Sequence, residues 1–228
     1  MEYETLKDEI TNTATLTGRI CSTPTLSHQV EGESFYEFKM EVNRLSQSSD
    51  IIPVTISERS VLGIELKEGS FFKLVGEYRS YNKLLSEKSK LILHFFAKEI
   101  ETANAGEYEN EVKLIGFLCK EPIYRKTPFN REICDVLLAV NRTNYHKSDY
   151  IPCILWGRNA RFVANQNIGC KIEIFGRIQS REYTKSLPNG EVEDKTAYEV
   201  SCQRVSILSN ISNFKLEEQE QQSDAANN

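Results

Sequence analysis

Hydrophobic and polar residues alternate with a period of two through most of the second half of the chain. That alternation, carried by Ile, Val, Leu, Phe and Tyr, predicts five strands over residues 111–118, 133–141, 150–156, 171–183 and 197–208. Between the third and fourth lies one segment with apolar residues at helical spacing, Arg158-Asn-Ala160-Arg-Phe162-Val163-Ala164-Asn165, which runs out toward Gly169. Leu187-Pro188-Asn189-Gly190 supplies the turn chemistry for a hairpin joining the fourth and fifth strands. Strand–strand–strand–helix–strand–strand is the order of the OB-fold, a small five-stranded Greek-key barrel.

The first half keeps this order with weaker signals. Its strands are expected at 14–21, 35–42, 51–57, 71–79 and 90–100, with the helical slot at 58–66 and residues 3–11 as a short arm that pairs elsewhere. The likeness of the halves is direct. Asn12, Leu16, Gly18, Cys21 and Pro24 recur as Asn110, Leu114, Gly116, Cys119 and Pro122, an offset of 98. Val42-Asn43-Arg44 recurs as Val140-Asn141-Arg142 at the same offset, Ile52-Pro53 as Ile151-Pro152 at 99, and Gly69, Gly76 and Ser80 as Gly169, Gly176 and Ser180 at 100. Solenoid repeats have periods of roughly 20–50 residues, so this period predicts two whole folds in tandem. The expected fold class is therefore all-β, two tandem OB-folds each with a short helix between strands 3 and 4. The domains would run 1–101 and 110–208, with a linker at 102–109 and a disordered tail at 209–228, where nothing is available to bury.

Composition adds constraints. Hydrophobic residues make up 39% of 228, enough for two small cores, and no apolar run approaches the ~18 residues of a membrane span. The amino end is too acidic for a signal peptide, so a cytoplasmic, nucleoid-associated location without membrane contact is expected. The six cysteines form no C-x-x-C pair, and with three His no zinc spacing can be written; buried reduced thiols, no metal and no cofactor are the expectation. Nor is there a Walker loop, a nucleophile–base motif or paired carboxylates, which argues against an enzyme. The net charge of −5 conceals a division: residues 1–101 carry 12 Lys and Arg against 16 Asp and Glu, residues 110–208 carry 15 against 11.

The chemistry lies in the phase of the third strand of the second half. If Ile151, Cys153 and Leu155 face a core, then Tyr150, Pro152, Ile154 and Trp156 face outward. On the fourth strand Ile172, Ile174 and Ile178 face inward, leaving Lys171, Phe175, Arg177, Arg181 and Tyr183 on the opposite side unless a bulge intervenes. Aromatic rings interleaved with cations suit single-stranded nucleic acid: rings stack on bases at ~1–3 kcal/mol each while cations replace counterions on phosphates. Tyr150, Trp156, Tyr183 and Phe175 are the stacking candidates. Arg125, Lys126, Arg142, Lys147, Arg158, Arg177, Arg181 and Lys185 are the cations. Outward aromatics suit a protein contact as well, and surface cations serve solubility.

At these residues the second half resembles the bacterial single-stranded DNA-binding protein family. The resemblance rests on Asn110-x-Val112-x-Leu114-Ile115-Gly116, Glu121-Pro122-Ile-Tyr-Arg125-Lys-Thr-Pro128, Leu138-Ala-Val-Asn-Arg142, Tyr150-Ile-Pro-Cys-Ile-Leu-Trp156-Gly157-Arg-Asn-Ala160, and Gly176-Arg-Ile-Gln-Ser-Arg181-Glu-Tyr183. It implies an OB-fold and sequence-tolerant binding of single-stranded DNA in replication, recombination or repair, with stacking at Tyr150, Trp156 and Tyr183 and, more loosely, Tyr145. It also implies four OB-folds per assembly, hence a homodimer here, with replication or repair proteins as partners. Those partners commonly dock on an acidic, hydrophobic-ended tip where this chain has Ala225-Ala-Asn-Asn228, which predicts an accessory, mobile-element or specialised member. In the first half Ile51 and Ser57 stand where the second has Tyr150 and Trp156, and Glu77 replaces Arg177, so that binding face reads as eroded, with Tyr81 and Arg79 left for weak contact. Two rivals remain: a primosome-like accessory protein with weak DNA affinity, and a protein- or oligosaccharide-binding module of the same fold.

Overall fold

A computed structural model describes residues 10–85, 88–142, 147–186 and 190–209. The expected arm before residue 10, the turn at 187–189, Tyr145 and the tail from 210 lie outside the described residues. The molecule is mostly β. Its strands are β1 (Asn12–Ile20), β2 (Thr25–Val30), β3 (Glu33–Asn43), β4 (Ser49–Ser57), β5 (Phe71–Leu85), β6 (Lys88–Thr102), β7 (Glu109–Leu118), β8 (Ile123–Lys126), β9 (Glu132–Asn141), β10 (Ser148–Trp156), β11 (Lys171–Ser186) and β12 (Val192–Ser209). A helix, α1 (Gly157–Ala164), follows β10, and a 3₁₀ turn (Glu58–Val61) follows β4.

The ten expected strands are all present, several of them longer than the alternation indicated. The two additional strands are β2 and β8, which form hairpins with β3 and β9. Every residue of both is exposed, so neither carries the period-two burial that betrays a strand.

Within each half the pairings return to their starting strand. β1 pairs with β3, β3 with β4, β4 with β6 in parallel, β6 with β5, and β5 with β1. β7, β9, β10, β12 and β11 repeat this circuit, again with one parallel pair, β10–β12. Closing so small a circuit forces strands to cross at short range, and the repeated glycines sit at the crossings. A Cβ on Gly76 would lie 2.0 Å from the carbonyl oxygen of Phe96, and one on Gly176 would lie 2.2 Å from that of Ser201. Both glycines adjoin a bulge whose extra residue, Lys98 or Gln203, belongs to the partner strand. The inward parity of β11 therefore survives, and Ile172, Ile174 and Ile178 are all fully buried as expected.

The halves join edge to edge. β1 and β7 run antiparallel with Ala14 opposite Val112, its own counterpart at the repeat offset of 98, so a local two-fold passes through that pair. Polar contacts obey the same symmetry. Asn12 Nδ2 donates to Tyr78 O at 2.7 Å and Asn110 Nδ2 to Ile178 O at 2.7 Å. Asp50 accepts from Arg44 Nε (2.7 Å) and from the Ser180 backbone N–H (2.8 Å); Asp149 accepts from Arg142 Nε (2.8 Å) and the Ser80 N–H (2.6 Å). Each serine hydroxyl in turn accepts from a backbone N–H of the other half, Ser180 from Ile51 and Ser80 from Tyr150. Both aspartates are almost wholly buried. The two-fold breaks at Asp50: Arg177 adds a second ion pair to it at 2.9 Å, whereas its counterpart Glu77 turns to Arg79 and Lys98.

Candidate nucleic-acid interface

β10 is the strand that builds the site. Its inward residues Ile151, Cys153 and Leu155 are buried, while Tyr150 is 43% exposed and Trp156 37%. These two are six positions apart on one face, roughly 20 Å along the strand at about 3.3 Å per residue. Ile154, expected outward, is 6% exposed instead, paired with Asp135 on β9 and Ser201 on β12, and it lies outside the main core cluster. The Trp156 indole N–H donates to Ser201 Oγ at 3.3 Å, which orients the ring over β12 without covering it. Tyr183, 38% exposed, stands on the β11 arm with the Arg181 guanidinium 5.6 Å from its ring centre. Three large rings are thus left to solvent, Trp156 beside a hydrogen bond and Tyr183 beside a cation.

The candidate cations divide into two groups. Lys126, Lys147, Arg158, Arg181 and Lys185 are exposed, as is Arg125, with Arg181 4.0 Å from Glu199. Arg125 is paired with Asp135 at 2.7 Å. Arg142 is committed to the junction, gripping Asp149 and donating to the Ser80 carbonyl at 3.0 Å. Arg177 is likewise held by Asp50, and burial, with Arg44 beside it, pulls its pKa below the ordinary guanidinium value. Phe175 is also set apart from the β10 face. It lies half-buried on the junction sheet between Arg204 and Lys113, 4.1 and 5.4 Å from its ring centre, in a groove of about 510 Å³ that includes Thr13 and Val75 of the first half. No spacing rule links Arg177 to a carboxylate 127 residues away. The recurrence of Asn-Arg at 43–44 and 141–142, with Asp50 and Asp149 following, was the available signal.

The first half also holds residues that alternation did not single out. His28 and Phe35 stack at 4.9 Å, Phe35 and Phe96 lie 6.1 Å apart, and His94 stands between Phe96 (6.4 Å) and Tyr81 (5.4 Å). Burial, aided by the nearby charge of Arg79, lowers the His94 pKa to about 4, so this imidazole is neutral near pH 7. Among the described residues there is no grouping of three or more His, Cys, Asp or Glu able to hold a metal, and no helix is long and apolar enough to cross a membrane. The six cysteines are unpaired thiols. Cys21 and Cys119, at equivalent repeat positions, both donate to backbone carbonyls, of Lys39 and Leu137.

Residues 109–208 match the model of the Single-strand binding protein family. The second half of the chain is therefore similar to that family. Single-stranded DNA-binding protein 1 of Staphylococcus aureus is 36% identical over 105 residues, which cover 43% of this chain and 60% of the relative. Single-stranded DNA-binding protein A of Bacillus subtilis is 40% identical over 80 residues, 32% of this chain and 46% of the relative. The chain thus spans between about half and three fifths of the length of these relatives. Both halves share a fold with the wild-type single-stranded DNA binding protein of Thermus aquaticus, whose crystal structure superposes with a TM-score of 0.67 at 18% identity over 87% of this chain and 93% of that one.

Proposed function

We propose that this chain binds single-stranded DNA with little sequence preference, serving replication, recombination or repair, and that the second half carries most of the contact. Each closed circuit is read as an OB-fold barrel, with domains at 1–101 and 110–208 joined by the linker at 102–109. Bases stack on Tyr150, Trp156 and Tyr183, and phosphates are met by Lys126, Lys147, Arg158, Arg181 and Lys185. Two chains associate to bring four barrels together. No bond is made or broken in this reading. The observation that carries it is the row of exposed rings on β10 and the β11 arm, within the segment that matches the single-strand binding family.

The chain's single tryptophan makes the test direct. Oligothymidine is expected to quench Trp156 emission where a duplex of equal length does not, and the quenching should weaken as salt rises because counterions are released on binding. Trp156→Ala should weaken binding in an electrophoretic shift by about 5- to 100-fold, the loss of one stacked ring. Unchanged emission with no shift would remove the proposal and leave the β10 face as a protein-contact surface.

A further inference from the structure

The first half does not lack an aromatic face; the large ring has changed strands. In the second half the parallel pair β10–β12 sets Ile154 beside Ser201, with Trp156 reaching over that serine. In the first half the equivalent pair β4–β6 sets Thr55 beside Phe96. Ser57 stands in the place of Trp156 and is used locally, donating to Glu33 and accepting from the Arg59 N–H. Small and large residues have been exchanged across the same two strands.

Around Phe96 the structure has assembled a platform. The Arg79 guanidinium lies 3.8 Å from the Phe96 ring centre and is fixed by Glu77 at 2.7 Å. His94, neutral and 2.7 Å from Thr55 Oγ1, leads from Phe96 to Tyr81, whose ring is 45% exposed. These side chains border a groove of about 680 Å³, within the size range of small-molecule sites and ample for a planar base. One carboxylate, Glu37, is among the lining residues. Lys83, on the groove rim, and Lys90, its cross-strand partner, add exposed cations. The groove also adjoins the strand that carries Tyr150. Arg142 lines it, and the Tyr150 backbone N–H donates to Ser80, the residue before Tyr81.

We infer that this groove is a second base-stacking site, built from Tyr81, His94, Phe96 and Arg79, which receives the single strand as it passes Tyr150 and crosses the junction. The inference rests on the proposed function and adds a path and an occupant to it. Neutral rings suit bases, and the rim lysines suit the phosphates between them. A single OB-fold covers ~4–16 nucleotides, so a short strand is served by the second half alone and a longer one reaches the groove.

Two oligothymidines, of about 8 and about 30 nucleotides, separate the sites in the full chain. Tyr81→Ala, at an exposed position, should leave the short strand's affinity unchanged, weaken the long strand about five-fold or more, and reduce the nucleotides covered per chain. Lys83→Glu is a second variant that leaves the platform's rings in place and should act in the same direction. A 30-mer carrying 5-iododeoxyuridine should crosslink to peptides containing Tyr81 or His94. Wild-type affinity and coverage in both variants, with crosslinks confined to the second half, would overturn the inference while leaving Trp156 quenching intact. Absent quenching in the wild type would instead overturn the reading beneath it.

Discussion

Removing the Asp50 carboxylate tests whether the junction is held by its buried charges. Asp50 accepts from Arg44 (2.7 and 2.5 Å), from Arg177 (2.9 Å) and from the Ser180 N–H (2.8 Å), and its own side chain is 1% exposed. In Asp50→Ala two guanidinium groups, each 26% exposed, would face one another with no anion between them. Breaking a buried pair from one side costs about 3–5 kcal/mol, and the partial exposure of the arginines places this case near the lower figure. The stranded Ser180 N–H adds about 1 kcal/mol. Asp149→Ala takes the carboxylate from one guanidinium and the acceptor from the Ser80 N–H, and should cost about 3 kcal/mol. Urea unfolding at fixed protein concentration measures both, with concentration held constant because the proposed association of two chains would add to apparent stability. Adding Arg177→Ala to Asp50→Ala should recover part of the loss, since the second cation leaves with its repulsion, and the double-mutant cycle reports the coupling. A loss below about 1 kcal/mol for Asp50→Ala would show that strand pairing between β1 and β7 holds the halves without help from these ions, and an equal loss at Asp149 would show that Arg177 adds nothing to the junction.

Two other predictions follow from single residues. His94 has a folded pKa of about 4. Because that lies below its unfolded value near 6.5, its contribution is complete above pH 6.5 and is lost as pH falls toward 4, by up to about 3 kcal/mol. His94→Gln should flatten the wild-type decline in urea midpoint across that window, and parallel curves would refute the assignment. Gly176→Ala forces a methyl against the Ser201 carbonyl and should destabilise by about 2–3 kcal/mol, whereas Gly63→Ala, with open space around it, should cost only the strain of its positive φ, about 1 kcal/mol; equal melting losses would contradict the crossing geometry.

What could be read in the chain, and what could not, divides along a physical line. Alternation placed β7, β9, β10, β11 and β12 and the inward sets Ile151, Cys153, Leu155 and Ile172, Ile174, Ile178, because burial on one face writes itself into the sequence with period two. It failed at β2 and β8, where both faces meet water, and at Ile154, where flanking strands cover a position on the outer face. The repeat offsets carried more than they were asked to. They marked Arg44 with Arg142 and Ser80 with Ser180 as residues that must be explained together, while the two-fold through Ala14 and Val112 is set by the register of β1 on β7. Arg142 looked like a phosphate ligand although its partner, Asp149, is only seven residues away, because alternation does not mark a buried carboxylate; Arg177 looked like one because its partner, Asp50, lies in the other half and leaves no local trace. Phe35, Phe96, His28 and His94 looked like ordinary strand residues for the same reason: they meet only when β2, β3 and β6 are folded side by side.

The broken symmetry at residues 77 and 177 connects the junction to the aromatic faces. Arg177 is the second cation on Asp50; a glutamate in that place would set two carboxylates together in a buried site, an arrangement that repels rather than pairs. Glu77, freed from such a partner because Asp149 has Arg142, instead fixes Arg79, and Arg79 is the cation that lies on Phe96. The change that loosens one side of the junction is therefore also the change that anchors the first-half platform. The same pairing of loss with gain recurs at Ser57 and Phe96, where the ring absent from β4 reappears on β6. In two identical chains every substitution falls on both copies, and neither exchange could be made on one side alone. Joining the copies in one chain removes that constraint, and three positions where the halves differ in chemistry, 57 with 156, 96 with 201 and 77 with 177, lie at or beside an aromatic face or the junction that connects them.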